Sequence, residues 1–273
     1  MEPGYVYSGV KEQGMSTVIA IAGKGGTGKT TIAGLIVRYL KHTGNTPILA
    51  VDADADSNLP QALGMADNRT IGTIGKARQD FFVSKGDVPP GMPKEAYLEL
   101  KLNEVVIESE DVDLLVMGRP EGAGCYCYIN NVLRHYLESL GKNYPFVVID
   151  NEAGLEHLSR RTAQHIDFLI VVSDYSLNGL RAAGRIRELS EELDIAIGQQ
   201  FLLINRVPGE PDPSFTKKAE EQGVNLLGFI PADDAIYKSD LAGKPVVALP
   251  EESIAVKGLH DVMKQIIPTT KAN

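Results

Sequence analysis

Cysteine is nearly absent: Cys125 and Cys127 are the only two in 273 residues. Two thiols one residue apart cannot build a secreted disulfide framework, so a reducing, cytoplasmic location is expected. Long apolar runs are missing too, and nothing approaches the roughly 20 residues that span a bilayer. The opening MEPGYVYSGVKEQG (1–14) lacks the apolar stretch of a signal peptide and reads as a loose extension before Met15. No membrane partner is expected. Positive charge is in deficit, with 27 Lys and Arg against 36 Asp and Glu and a formal net charge of -9. A broad nucleic-acid face needs clustered cations that displace counterions from phosphates, and this balance argues against one. The histidines (42, 135, 157, 165 and 260) form no pair at ligand spacing on one helix face, so each reads as a surface or core residue.

What is present is a regular alternation of short apolar runs and longer helical patterns, the signature of βα units around a parallel sheet. Seven runs read as strands: TVIAIA (17–22), TPILAVD (46–52), VDLLVMG (112–118), FVVID (146–150), DFLIVVS (167–173), QFLLINR (200–206) and NLLGFI (225–230). Helices are expected over 29–42, 128–141, 155–165, 177–193, 214–222 and 253–267. The fold class is therefore α/β, three layers with a mostly parallel sheet of about seven strands in one domain over 15–273. The stretch 66–110, rich in Gly, Pro and mixed charge, breaks the rhythm and reads as an insertion.

Residues 23–30, GKGGTGKT, satisfy G-x-x-x-x-G-K-[ST] directly after a strand and at the start of a helix, which makes this a P-loop NTPase fold. Gly23, Gly25, Gly26 and Gly28 let backbone N–H groups turn toward phosphates, Lys29 adds a positive charge, and the Thr30 hydroxyl is placed to ligate Mg2+ at a helix N-terminus, with Thr27 and Thr31 beside it. Gly23, Gly25 and Gly28 also spell G-x-G-x-x-G, with Asp52 where a dinucleotide fold would hold a ribose. That rival leaves Lys29, Thr30 and the carboxylate ending FVVID unused, whereas a triphosphate with magnesium uses all three.

The additional Lys24, in KGGTGKT, makes the chain resemble the deviant Walker A ATPases, a family of cell-division and plasmid-partition ATPases, the nitrogenase iron protein and the arsenite-pump ATPase. The resemblance runs from Thr17 to the C-terminus. It implies that Lys24 reaches across a two-fold interface to the partner's nucleotide, and hence an ATP-sandwiched homodimer. It also implies that Asp52, in VDADADSNL (51–59), lies in the outer magnesium shell and that Asp54 orients or deprotonates the attacking water, while Asp56 is left to cap a turn. Asp150 is the expected Walker B carboxylate, and Gly154 fits a hinge that senses the γ-phosphate. Related ATPases more often have proline two residues after that aspartate, where this chain has Glu152. Asn205 and Arg206, with Pro231, Ala232 and Asp233, resemble the family's adenine-contacting segments, which places ATP above GTP.

Two thiolates from one chain leave a four-coordinate soft-metal site half built, and a two-fold axis near EGAGCYCYIN (121–130) would supply the rest from the partner's pair. The plainer alternative is that Cys125 and Cys127 are small buried hydrophobes. The flanks GRPEGAGCYCYINNVLR and DNEAGLEHLSRRT are similar to accessory ATPases of the CooC type, which mature nickel enzymes. That resemblance implies binding of Ni2+ (or Zn2+) and a client that is carbon monoxide dehydrogenase or acetyl-CoA synthase. An iron-sulfur cluster carrier and a partition or positioning ATPase remain the alternatives.

Overall fold

The computed structural model describes residues 16–66, 73–74, 76, 88–118, 135–152, 165–192 and 196–268. All seven predicted strands form: β1 (Thr17–Gly23), β2 (Ile48–Ala53), β3 (Val112–Val116), β4 (Phe146–Asn151), β5 (His165–Asp174), β6 (Ala196–Val207) and β7 (Leu226–Pro231). They make one sheet in the order β3-β2-β4-β1-β5-β6-β7, with every pairing parallel. The helices are α1 (Lys29–His42), α2 (Leu59–Ala62), α3 (Lys94–Asn103), α4 (Leu177–Glu192), α5 (Pro213–Glu221), α6 (Asp234–Leu241) and α7 (Ile254–Met263). A further helical stretch covers 135–141.

The sheet is sealed on both sides because alternate side chains of each strand enter different cores. Ile19 and Ile21 of β1 join Ile32, Leu35, Ile36 and Leu40 of α1, and Leu259 and Met263 of α7. Ala20 and Ala22 face the other layer, with Leu180 and Ala183 of α4 and Phe215 and Ala219 of α5.

One expectation is corrected. His165, expected to end a helix, is the first residue of β5 and pairs in register with Ala196. Within the stretch 66–110, α3 sends Leu98 and Leu102, both fully buried, into the second core beside Ile74. Leu98→Ala should therefore cost about 2–5 kcal/mol, as other large-to-small core changes do. Urea denaturation checks this, and unchanged stability would show that α3 is only a surface attachment.

In a parallel sheet all C-terminal strand ends share one edge. Connections leaving β1 run one way to β2 and those leaving β4 run the other way to β5. Such a reversal opens a crevice beyond the strand ends, where ligands of doubly wound folds bind.

Candidate nucleotide site

The P-loop occupies that crevice. β1 ends at Gly23 and α1 begins at Lys29, so residues 24–28 are the whole connection. Gly28 sits at the helix N-cap with φ 90°, and a Cβ there would lie 2.5 Å from Nδ2 of Asn205. A Cβ on Gly23 would overlap the Val172 carbonyl oxygen, so both ends of the loop require glycine for space as well as for backbone angle. Lys24, Gly25 and Gly26 are exposed, Thr27 and Lys29 are buried, and Thr30 and Thr31 are half-buried.

The loop is held by side chains as much as by its own turn. Thr27 Oγ1 donates to the Lys24 carbonyl at 2.9 Å. From the tip of β6, Asn205 Nδ2 donates to the Thr27 carbonyl at 2.9 Å and Arg206 Nη1 donates to the Gly26 carbonyl at 3.1 Å. Arg206 takes up φ 58°, a conformation uncommon outside glycine, while its N–H donates to Asn205 Oδ1 at 2.9 Å. The pair that the sequence assigned to adenine thus also braces the phosphate loop, 178 residues away along the chain.

Asp52 and Asp150 are Cα partners on neighbouring strands β2 and β4, and both are buried. Asp52 accepts from the N–H groups of Asp54 at 3.0 Å and Leu59 at 2.9 Å. Burial still pushes its carboxyl up to about 6, against those two hydrogen bonds. Asp150 Oδ2 accepts from Thr30 Oγ1 at 2.6 Å, and its Oδ1 is buried with no partner among the described residues. Burial first, then the charge of Asp52, raises Asp150 to about 7, although Thr30 and Lys29 pull the other way. Two carboxylates with raised values, one orphaned oxygen and a hydroxyl at a helix N-terminus form a donor set suited to a hard divalent cation, Mg2+ completing its shell with water and phosphate oxygens.

Asp54 is half-buried at the same edge, and its Oδ1 accepts from the Asp56 N–H at 2.9 Å. That bond gives Asp54 a share in the turn-capping assigned to Asp56. Glu152 follows β4 and is half-buried. Cys125, Cys127, Gly154 and His157 lie outside the described residues. Among the described residues no group of three or more His, Cys, Asp and Glu side chains is placed to hold a metal ion, and no helix is long and apolar enough to cross a membrane.

A cleft of about 550 Å3 opens from Thr30 and Thr31 past Asn205 and Arg206 to Pro231, Ala232 and Asp233. The sequence-predicted phosphate and adenine segments therefore line one continuous space, within the range of small-molecule sites. Asp233, which lines it, has a second task as well. Its Oδ1 accepts from the Ala235 N–H at 2.8 Å, capping α6, and its Oδ2 accepts from Ser253 Oγ at 2.6 Å and the Ala255 N–H at 3.1 Å. Burial would raise this carboxyl, but these bonds outweigh it and hold it below its ordinary value. Asp233 thus also clamps α6 to α7. Tyr237, Asp240 and Lys244 also line the cleft. They carried no sequence signal, because nothing in a short polar helix marks which of its faces meets a cavity.

The family model for the CobQ/CobB/MinD/ParA nucleotide binding domain matches residues 18–246. An uncharacterized ATP-binding protein of Methanocaldococcus jannaschii is 44% identical over 92% of this chain and 98% of its own. The carbon monoxide dehydrogenase accessory protein CooC of Rhodospirillum rubrum is 32% identical over 82% of this chain and 87% of its own. Among solved structures, the septum site-determining protein MinD of Pyrococcus horikoshii, complexed with Mg-ADP, superposes with a TM-score of 0.66 at 22% identity, over 94% of this chain and 100% of that one. The chain belongs to the CobQ/CobB/MinD/ParA family of nucleotide-binding proteins and is an ATPase of the MinD/ParA type.

Proposed function

We propose that this ATPase is a dimeric metallochaperone that carries nickel (or zinc) on Cys125 and Cys127 and helps mature carbon monoxide dehydrogenase or acetyl-CoA synthase. The observation that carries the nucleotide half is the Thr30–Asp150 hydrogen bond beside the orphaned Asp150 oxygen at the foot of the P-loop. The 32% identity to the CooC accessory protein supports the metal half, together with the Cys-x-Cys sequence.

In this reading the loop N–H groups and Lys29 bind the β- and γ-phosphates, and Lys24, exposed on the same loop, reaches the nucleotide of the second protomer. Magnesium, when bound by Thr30 and Asp150 with Asp52 behind, supplies charge neutralisation for the phosphates. Asp54 orients a water or accepts its proton as its oxygen bonds to the γ-phosphorus and the bond to the β-phosphate oxygen breaks, leaving ADP and phosphate. The Met117 N–H donates to the Asp52 carbonyl at 2.8 Å, so the end of β3, from which the chain continues toward Cys125, is tied to the carboxylate strand. A change at the γ-phosphate that moves β2 is thereby passed by this hydrogen bond to the end of β3.

Titrating nickel or zinc into the reduced protein should saturate at about one ion per dimer, since four thiolates fill one site. Nickel should add sulfur-to-metal charge-transfer absorption. Cys125→Ala and Cys127→Ala should each abolish tight binding with nucleotide affinity unchanged. Saturation at one ion per monomer sinks the shared site. A brown iron-sulfur chromophore in protein purified without oxygen would make the chain a cluster carrier instead.

A further inference from the structure

Strand β6 borders two separate spaces. Its tip, Asn205 and Arg206, braces the phosphate loop. Earlier in the same strand, Gln200 and Leu202 line a second cleft of about 170 Å3, between α4 and the turn that joins α5 to β7. The walls of this cleft are apolar. Val171 of β5, in register with Leu202, lies beside Ala183 of α4 and Val224, and all four belong to the second core.

The charged group of the cleft is Arg187 of α4, and the amide residues Gln200 and Asn225 line it as well. The guanidinium lies against Gly223, another lining residue, where a Cβ would stand 3.6 Å from both Nε and Cζ. Arg187 Nη1 donates to Glu191 Oε1 at 2.8 Å, whereas Nε is buried with no partner among the described residues. A buried N–H on a cation is costly without an acceptor, and an exposed ion pair four residues along a helix is a weak competitor for the group.

The ligand class follows from this pairing of one cation with apolar walls. A guanidinium is a planar fork that matches the two oxygens of a carboxylate, and Nε with Nη2 forms the edge that Glu191 leaves open. A phosphate dianion would bring more charge against the apolar walls than one arginine offsets, at a desolvation cost that a monoanion largely avoids. The cleft is close in size to the roughly 150 Å3 that takes up benzene, so the body behind the carboxylate is small. We propose that this cleft binds a small monocarboxylate, its oxygens accepting from Arg187 and its short hydrocarbon chain lying on Val171, Ala183 and Leu202.

Sodium pentanoate is the probe, added to methyl-labelled full-length protein and followed by NMR. The methyl signals of Val171, Ala183, Leu202 and Val224 should shift together and saturate, with a Kd on the order of 0.1 to 10 mM. Pentylamine, with the same chain and the opposite charge, should leave them in place. Arg187→Gln should weaken pentanoate binding by about 10- to 100-fold, the scale of a hydrogen bond to a charged group, while its affinity for a magnesium-ATP analogue stays as in the wild type. A saturating ATP analogue should not displace pentanoate, because the two sites use different parts of β6. Absence of a saturable shift, equal binding of pentylamine, wild-type pentanoate affinity in Arg187→Gln, or displacement by the ATP analogue would each overturn the site.

Discussion

Lys29→Ala should weaken ATP binding by a factor on the order of 100 to 1,000, because it removes the cation from the centre of the phosphate cradle. Lys29 is buried at the first position of α1, so no neighbouring solvated cation takes over its place. Lys24→Ala is expected to behave differently. Its side chain is exposed and its carbonyl, not its ammonium, receives the Thr27 hydroxyl, so truncation leaves the loop conformation alone. Binding by one protomer should survive in the Lys24 variant, while ATP-dependent dimerisation and turnover are lost. Calorimetry with sedimentation by ultracentrifugation separates the two variants. A Lys24→Ala protein that dimerised with ATP and hydrolysed it normally would show that Lys24 is a solvated loop lysine.

Spacing alone fixes which lysine opens the helix and which precedes it, whereas the role of Lys24 across a dimer interface is what the family resemblance implies. The strands were legible for a related reason. Sheet burial on both faces demands continuous apolar runs, and seven such runs stood out. The parts that were missed have the opposite character. Helix α3, KEAYLELKLN, buries Leu98 and Leu102 on a mostly polar segment, too narrow a stripe to signal a core helix. Helix α6 buries nothing completely and so shows no period at all. The polar start of β6, AIGQQ, is strand only because β5 pairs with it from His165 onward.

Within the site, residue types were readable and second tasks were not. Asn205 was assigned by resemblance to the family's adenine-contacting segments, but its bond to the Thr27 carbonyl depends on the sheet bringing β6 to the loop after β1. Asp233 was assigned to the nucleotide, yet three hydrogen bonds hold its carboxylate between α6 and α7. In both cases the local motif specifies the chemistry available, and long-range topology decides which partner receives it.

Asp150→Asn should lower turnover by about 100- to 1,000-fold, the scale of losing one aligned charge-stabilising group, and yet make the ligand-free protein more stable at pH 8. The sign follows from the carboxylates. Asp52 and Asp150 have folded-state values near 6 and 7 against an ordinary 3.8, so the folded protein binds more protons than the unfolded chain between these limits. Their contribution to stability is fully present below about pH 4 and is lost as pH rises through 6 to 7, the pair titrating as a unit. The wild-type ligand-free protein should therefore melt at a lower temperature at pH 8 than at pH 5.5 from this source, and magnesium with nucleotide should reverse the loss. An asparagine keeps an acceptor for Thr30 and removes the charge, which at about 1.4 kcal/mol per pH unit is worth a few kcal/mol at pH 8. Its NH2 facing the space beside the orphaned oxygen takes back about 1–3 kcal/mol if it finds no acceptor. The net expectation is a rise of a few degrees at pH 8, little change at pH 5.5, and no further gain on adding magnesium alone. Scanning fluorimetry across pH, paired with a phosphate-release assay, gives both readouts. Lower stability of the variant at pH 8 would contradict the buried-charge account, and magnesium-dependent turnover at the wild-type rate would remove Asp150 from the cation site.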